Sequence, residues 1–486
     1  MNKIQKILIA NRGEIALRIQ STCHAIGIST VSIYTKEDQF LSYVYKSSSN
    51  HKLPKDGYSG YLDQNSILEI AKKENVDAIH PGYGFLSESH EFAQKVIDLG
   101  IIWIGPSPKI IRTFSDKTKS KELVSEIDIP IIESSEIKSY KKIGFPLIIK
   151  SAMGGGGKAI RVVKEKSKFG EELKKVISES KKQFNSEKIL IEKYLENCRH
   201  IEIQIAGNGK DFIHLYEREC SIQRKNQKII EEAPCNFICN KTKEKLFDAS
   251  IKIAQHFKYN SIGTIEFLVD KNENFYFLEA NTRLQVEHSV TELTTHIDLI
   301  ALQIYLAKNQ DLQYKQSDIV QNGHSIETRI YSENPRENFS ASSGKITNLE
   351  IPNNPFIRID HDLEKDDEIS PNFDPMIAKV TSFGKTRDFA INYLSNYLKQ
   401  LNISGISTNT NFLIQILKSK EFLSGEINTQ ILQQQEFLEK LFCKKNSTEM
   451  ILSNKEIEQI INLSKTSFNK STSNNKFNNW KNQLWN

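Results

Sequence analysis

No apolar run in this chain approaches the roughly 20 residues that a membrane-spanning helix needs, so no membrane association is expected. Paired cysteines are also missing. Cys23, Cys198, Cys220, Cys235, Cys239 and Cys443 are scattered, with no C-x-x-C, which argues against a disulfide scaffold or a zinc ribbon and suits the reducing cytoplasm. The Cys235-x3-Cys239 spacing reads as chance. An excess of one charge is lacking too: Lys plus Arg is 65 and Asp plus Glu is 60, a net +5 that makes no nucleic-acid footprint. Many lysines alternate with glutamates, as on a solvated face. There is no internal repeat. Met1–Lys6 is too short for a signal peptide and runs straight into Ile7–Ala10 and then Asn11-Arg12. What remains is a soluble globular composition over 486 residues, with 38% hydrophobic and 26% charged, a length for about three domains.

The pattern begins with an apolar strand at Ile4–Ala10, a helix over Gly13–Gly27 and a strand at Thr30–Tyr34. Helices near Ser66–Lys73 and Glu91–Leu99 then alternate with strands at Asp77–His80 and Ile101–Ile104. Such alternation implies a parallel, doubly wound sheet ending near Pro106–Pro108. From about Lys117 the texture changes to strands joined by tight loops: Phe145–Lys150, Ile160–Val163, Ile189–Tyr194, His200–Ala206, Phe212–Tyr216, Ile262–Val269 and Phe275–Glu279. These predict antiparallel sheets in an α+β domain. A third region, about His324–Leu432, mixes short strands with two late helices, and the last residues are rich in Asn, Ser and Lys.

Met153–Ala159 holds four glycines and Lys158, but it is not a Walker A loop. Ala152 stands where that motif needs its first Gly, Ala159 stands where it needs Ser or Thr, and a strand follows rather than a helix. The alternative is a hairpin whose backbone N–H groups close over phosphates, or simply a flexible hairpin. Lys150, ending an apolar strand just before it, must snorkel to solvent or meet an anion. Glu266 and Glu279 interrupt two apolar runs flanking an Asp-Lys-Asn-Glu-Asn turn, where an unpaired charge would be costly. With Asn281 they make an oxygen-only set suited to Mg²⁺; alone, they also read as exposed acids on a surface hairpin. Arg283, Gln285 and Glu287 alternate, so an extended segment puts them on one side. There they could hold, orient and deprotonate a small oxyanion, although R-x-Q-x-E is by itself a short signal. His288 reads as structural, and Ser221–Lys228 as a solvated loop.

Taken together, Ile9–Ala16, His80–Glu88, the glycine loop, Glu192–Leu195, Arg199–Glu202 and Asn281–His288 resemble the biotin carboxylase family, in order, from residue 4 to about 440. The resemblance implies α/β plus α+β architecture: a Rossmann-like pre-ATP-grasp domain (1–110), an ATP-grasp domain (111–315) with a glycine-loop lid at about 130–200, a biotin carboxylase C-terminal domain (323–432) and a polar tail (440–486). It implies an ATP-dependent ligase that carboxylates biotin with bicarbonate through carboxyphosphate. By motif, Lys117, Lys150, Gly156, Gly157, Glu192, Lys193, Leu195, His200 and Gln223 would bind ATP. Glu266, Glu279 and Asn281 would bind Mg²⁺ or Mn²⁺. Lys228, Arg283, Gln285 and the Val286 amide would hold bicarbonate, and Glu287 would be the base. Arg329 would stabilise the biotin enolate and Tyr83 would sit near its ring. The implied partners are a biotin carboxyl carrier protein and a carboxyltransferase subunit, with a homodimer of this chain.

The chain departs from the family pattern at Ala159, after the glycine loop, where Gly is usual. Ser289, Asn372-Phe373 and Ser340–Ser343 are further departures, and none removes a group assigned to chemistry. Asn226 and Asp366–Ser370 look more like the propionyl- or methylcrotonyl-CoA carboxylase α subunits. None of the four methionines is followed by Lys, so the family's biotin-acceptor motif is not found here. Another bicarbonate-using ATP-grasp ligase and a non-catalytic nucleotide-binding scaffold are the competing readings.

Overall fold

The computed structural model describes residues 4–153, 159–308 and 312–443. The chain divides into two units, Met1–Leu441 and Phe442–Asn486, and every element named below lies in the first. The predicted lid residues Gly156 and Gly157, and the predicted tail beyond residue 443, lie outside the described residues.

The first sheet is wholly parallel, with order β3-β2-β1-β4-β5: β1 Lys6–Ile9, β2 Ser29–Tyr34, β3 Ser49–Lys52, β4 Ala78–His80 and β5 Ile102–Trp103. Ile7 and Ile9 enter one core cluster and Leu8 and Ala10 another. Burial on both faces is why the strand reads as an unbroken apolar run. The helix Gly13–Ala25 follows β1 directly.

A small antiparallel sheet comes next, in the order β6-β9-β7-β8: β6 Ser134–Ser135, β7 Leu147–Ser151, β8 Ile160–Val163 and β9 Ile189–Lys193. The helix Phe169–Phe184 covers it, with Val176 packed among Leu147, Ile149 and Ile191.

The largest element is an eight-stranded antiparallel sheet. Its strands are β10 Arg199–Gly207, β11 Phe212–Arg224, β12 Gln227–Ala233, β13 Ile262–Val269, β14 Phe275–Asn281, β15 His324–Tyr331, β16 Ile357–His361 and β17 Met376–Gly384, in the order β14-β13-β10-β11-β12-β15-β17-β16. In the third region β15, β16 and β17 extend the central sheet through the β12–β15 pairing, and shorter strands pair two by two beside it. One expectation changes here: Ser221–Lys228 is not a solvated loop. It is the end of β11, a two-residue turn at Lys225-Asn226 with both φ values positive, and the start of β12. Two successive positive-φ residues suit a tight hairpin turn, and Asn tolerates that conformation well. The segment is polar because it faces a cavity rather than a core.

Period-2 alternation makes this sheet two-faced. Ile201, Ile203, Ile205, Ile265 and Phe267 join Leu246 and Ile253 of the helix Asn240–His256 in one core. The intervening positions, His200, Glu202, Gln204, Thr264 and Glu266, are buried and polar. The chemistry-bearing side chains stand on that second face.

Candidate active site

A cavity of about 790 Å³ lies where the parallel sheet, the small sheet and the polar face of the central sheet meet. Every predicted site residue among the described residues lines it: Tyr83, Lys117, Lys150, Glu192, Lys193, Leu195, His200, Gln223, Lys228, Glu266, Glu279, Asn281, Arg283, Gln285, Val286, Glu287 and Arg329.

Lys228 is the electrostatic centre. Its ammonium donates to Glu202, to Glu266 Oε1 at 2.8 Å and to Glu287 Oε1 at 2.7 Å. Burial works against its charge, but the three carboxylates outweigh it and hold the lysine well above its ordinary pKa. Glu287 is fully buried between Lys228 and Arg329, whose Nη2 donates to it at 3.0 Å while its Nε donates to Glu231 at 2.6 Å. Burial alone would raise the Glu287 carboxyl; Lys228, Arg329 and Arg218 together hold it well below the usual carboxylate range. Removing one partner from such a buried cluster costs about 3–5 kcal/mol, because the others are left uncompensated.

Glu266 and Glu279 are direct partners across β13 and β14, as are Thr264 and Asn281. Glu266 accepts from Asn281 Nδ2 at 2.8 Å and Gln285 Nε2 at 3.0 Å, and His200 Nε2 lies 2.9 Å from its other oxygen. Glu279 faces Lys117 at 2.5 Å. Burial and the charge of Glu266 push the Glu279 carboxyl up, and Lys117 more than offsets them. Two mutually repelling carboxylates beside an amide oxygen are an oxygen-only donor set that fits Mg²⁺ or Mn²⁺.

Arg283 bonds Gln285 Oε1 at 2.8 Å, Asn281 Oδ1 at 3.2 Å and Glu88 Oε2 at 3.0 Å. Glu287 does not continue an extended segment with them; it sits in the turn that leads into the helix His288–Thr295, and from there it lines the same cavity. His288 is fully buried and its Nδ1 lies 2.9 Å from the Gln285 carbonyl, in keeping with a structural role.

The nucleotide set divides. Gln223 Nε2 lies 2.8 Å from His200 Nδ1, which orients the imidazole. Lys150 pairs with Glu192 at 2.6 Å, and Lys121 takes the same carboxyl from the other side. Burial lowers Lys150 to about 8, with Glu192 opposing and Lys121 adding to the fall. The carboxylate of Glu192 is therefore committed to two lysines. At this residue β9 is paired on both sides, with Ser134 and with Ile148. Beyond β9 the chain leaves the sheet, and the Leu195 carbonyl accepts from Gln430. Lys193 lies against the Ile143 carbonyl, and the Tyr83 carbonyl accepts from Asn11.

Sequence reasoning assigned no role to Lys121, Glu202, Arg218 or Glu231. Glu202 had a signal, since His200, Glu202 and Gln204 alternate with isoleucines. The fully buried Arg218 had none: it is polar among polar neighbours and reaches Glu202, Gln204, Thr264 and Thr291 only through the fold. No cluster of potential metal ligands among the described residues involves Cys235 or Cys239.

Comparison with known proteins gives three family matches: "Biotin carboxylase, N-terminal domain" at residues 3–111, "Carbamoyl-phosphate synthase L chain, ATP binding domain" at 116–315 and "Biotin carboxylase C-terminal domain" at 327–434. The chain is 39% identical over 444 residues to biotin carboxylase 2 of Bacillus subtilis, covering 88% of this chain and 99% of that protein. It is 39% identical over 443 residues to the mitochondrial methylcrotonoyl-CoA carboxylase subunit alpha of Mus musculus, and there it spans only 62% of the relative's length. The biotin carboxylase domain dimer of Hydrogenobacter thermophilus 2-oxoglutarate carboxylase, solved with MgADP, ADP and bicarbonate, superposes with a TM-score of 0.88 at 37% identity, covering 90% of this chain and 99% of that one. The biotin carboxylase of Campylobacter jejuni gives 0.86 at 37% identity, covering 89% and 99%.

Proposed function

The chain belongs to the biotin carboxylase family of ATP-dependent ligases, and on that premise we propose that it carboxylates biotin on a separate carrier protein, as the first half-reaction of an acyl-CoA carboxylase. The observation that carries this reading is the gathering of every described candidate residue around one cavity, with Glu287 held between Lys228 and Arg329.

Bicarbonate is a poor electrophile, so a carbon–oxygen bond must first be activated. In the proposed sequence Lys117 and Lys150 neutralise phosphate oxygens, and His200 and Gln223 contact the ribose. Glu266, Glu279 and Asn281 would hold Mg²⁺ or Mn²⁺, which when bound supplies charge neutralisation between phosphates. Arg283, Lys228, Gln285 and the Val286 amide hold bicarbonate in line with the terminal phosphoryl group, and Glu287 takes its proton. The cost of using so acidic a carboxylate is offset because Lys228 and Arg283 lower the proton affinity of the bound anion as well. Phosphoryl transfer yields ADP and carboxyphosphate, which breaks down to CO₂ and phosphate. The phosphate released takes the N1 proton of biotin, Arg329 stabilises the resulting enolate oxygen, and N1 attacks CO₂.

The proposed partners are a biotin carboxyl carrier protein and a carboxyltransferase. A homodimer would form through the helix Gly13–Ala25 and the C-terminal region. The proposed compartment is the cytoplasm, supported by the free cysteines Cys23, Cys198, Cys220, Cys235 and Cys239. Slow MgATP hydrolysis by the purified protein, accelerated by free biotin plus bicarbonate, is the expected result. Equal rates with and without both additions would count against it. A streptavidin blot of protein made with active biotin ligase is expected to be blank.

A further inference from the structure

Lys379, on β17, is fully buried and lines none of the cavity described above. Its ammonium donates to the backbone carbonyl of Val286 at 2.9 Å, although carboxylates are close at hand: Glu14 lies at 3.6 Å and Asp360 at 3.7 Å. Asp360 is already held by Arg358, and both Glu14 carboxyl oxygens are buried without a hydrogen-bond partner. A buried ammonium surrounded by acids but bonded to a peptide oxygen holds backbone in place.

The preceding peptide is held as well. His288 Nδ1 stands 2.9 Å from the Gln285 carbonyl oxygen, and since that oxygen can only accept, Nδ1 carries the hydrogen. Burial and the charges of Lys379, Arg358 and Arg18 keep this imidazole neutral, well below its ordinary pKa. Consecutive carbonyls, those of Gln285 and Val286, are thus gripped by two side chains from outside the substrate cavity. A trans peptide is planar, with its N–H opposed to its C=O. Fixing the Gln285 oxygen therefore aims the Val286 N–H the opposite way, and fixing the Val286 oxygen sets the plane from which Glu287 springs.

We propose that Lys379 and His288 are positioning residues that clamp these two carbonyls and thereby aim the Val286 N–H and the Glu287 side chain at the bicarbonate anion. The inference rests on the reading of this cavity as a bicarbonate site. Neither residue touches substrate; both act through the Gln285-Val286-Glu287 backbone. Glu14 and Asp360 then serve to keep Lys379 charged, and Glu327 of β15 adds to the same field.

The test is steady-state ATP hydrolysis with bicarbonate and free biotin, in which KM is measured separately for bicarbonate and ATP. Lys379→Met is expected to raise the bicarbonate KM at least about tenfold, the scale of one misaimed hydrogen bond to an anion, and to leave the ATP KM in place. Lys379→Arg, which keeps the charge and the donors, is expected to recover most of the loss. Lys379→Met with Glu14→Gln removes both members of the close pair and provides a second background should the single variant fail to fold. His288→Phe is expected to behave as Lys379→Met does, whereas His288→Asn keeps a donor near the Nδ1 position and stays closer to wild type. An unchanged bicarbonate KM in a folded lysine variant and in His288→Phe would overturn the clamp, as would parallel rises in both KM values. If the wild-type protein itself shows no saturable dependence on bicarbonate, it is the assignment of the cavity that falls.

Discussion

Glu266 and Glu279 face one another across adjacent antiparallel strands, yet each is claimed by a different lysine, Glu266 by Lys228 at 2.8 Å and Glu279 by Lys117 at 2.5 Å. The carboxylate pair joins two halves of one cavity. Lys228 also reaches Glu287 on the side proposed for bicarbonate, whereas Lys117 acts on Glu279 together with Lys150 on the side proposed for the nucleotide. A cation between the two carboxylates would relax a repulsion that the lysines now balance.

Glu279→Gln is accordingly expected to raise the Mg²⁺ concentration required for half-maximal turnover by about tenfold or more, since one anionic oxygen ligand and its charge are lost. Titrating Mg²⁺ at fixed ATP measures this. Chelation of divalent cations should abolish turnover in both proteins.

Glu287→Gln is expected to keep ATP affinity and to lose at least about 10²-fold in turnover. The amide preserves size and hydrogen bonding but cannot take a proton. Nucleotide binding by calorimetry, beside turnover, separates the two effects, and near-normal turnover would mean that another group is the base.

The Lys150 ammonium lies in a fully buried Lys121–Glu192–Lys150 cluster and is brought down to about 8, chiefly by burial. It is charged below that pH and loses its proton as pH rises through it. The KM for ATP should therefore climb on the alkaline side of about 8. Lys121→Met removes a like charge and leaves Glu192 to Lys150 alone, so this alkaline limb should move to higher pH. A limb that stays in place would show that Lys150 does not govern it.

Ala159 adopts φ +51° and is buried. Relief of the left-handed strain by glycine, about 1–2 kcal/mol, is opposed by a buried methyl of about 0.8 and an unfolded-chain entropy of about 0.4–1. Ala159→Gly should thus leave the melting temperature nearly unchanged and alter lid kinetics while activity persists. Stopped-flow nucleotide binding measures the lid, and total loss of turnover would expose a packing role for the methyl group.

Much of this was legible along the chain. An unbroken apolar run marked β1, because that strand is buried on both faces, whereas the polar, half-exposed β3 gave no such signal. The isolated acids in apolar strands marked Glu266 and Glu279, because an unpaired charge there is too costly to be incidental. The segment Asn281–His288 carried its own spacing. What the chain could not disclose depended on residues brought together from distant positions. Lys379 meets Val286 across 93 positions and Lys121 meets Glu192 across 71, and no local pattern encodes either pairing. Ser221–Lys228 looked like a solvated loop because polarity alone does not distinguish water from a polar cavity. Only the closure of three sheets around that cavity decided it, since a strand face is buried or exposed according to what is packed opposite, and that is a property of the folded molecule.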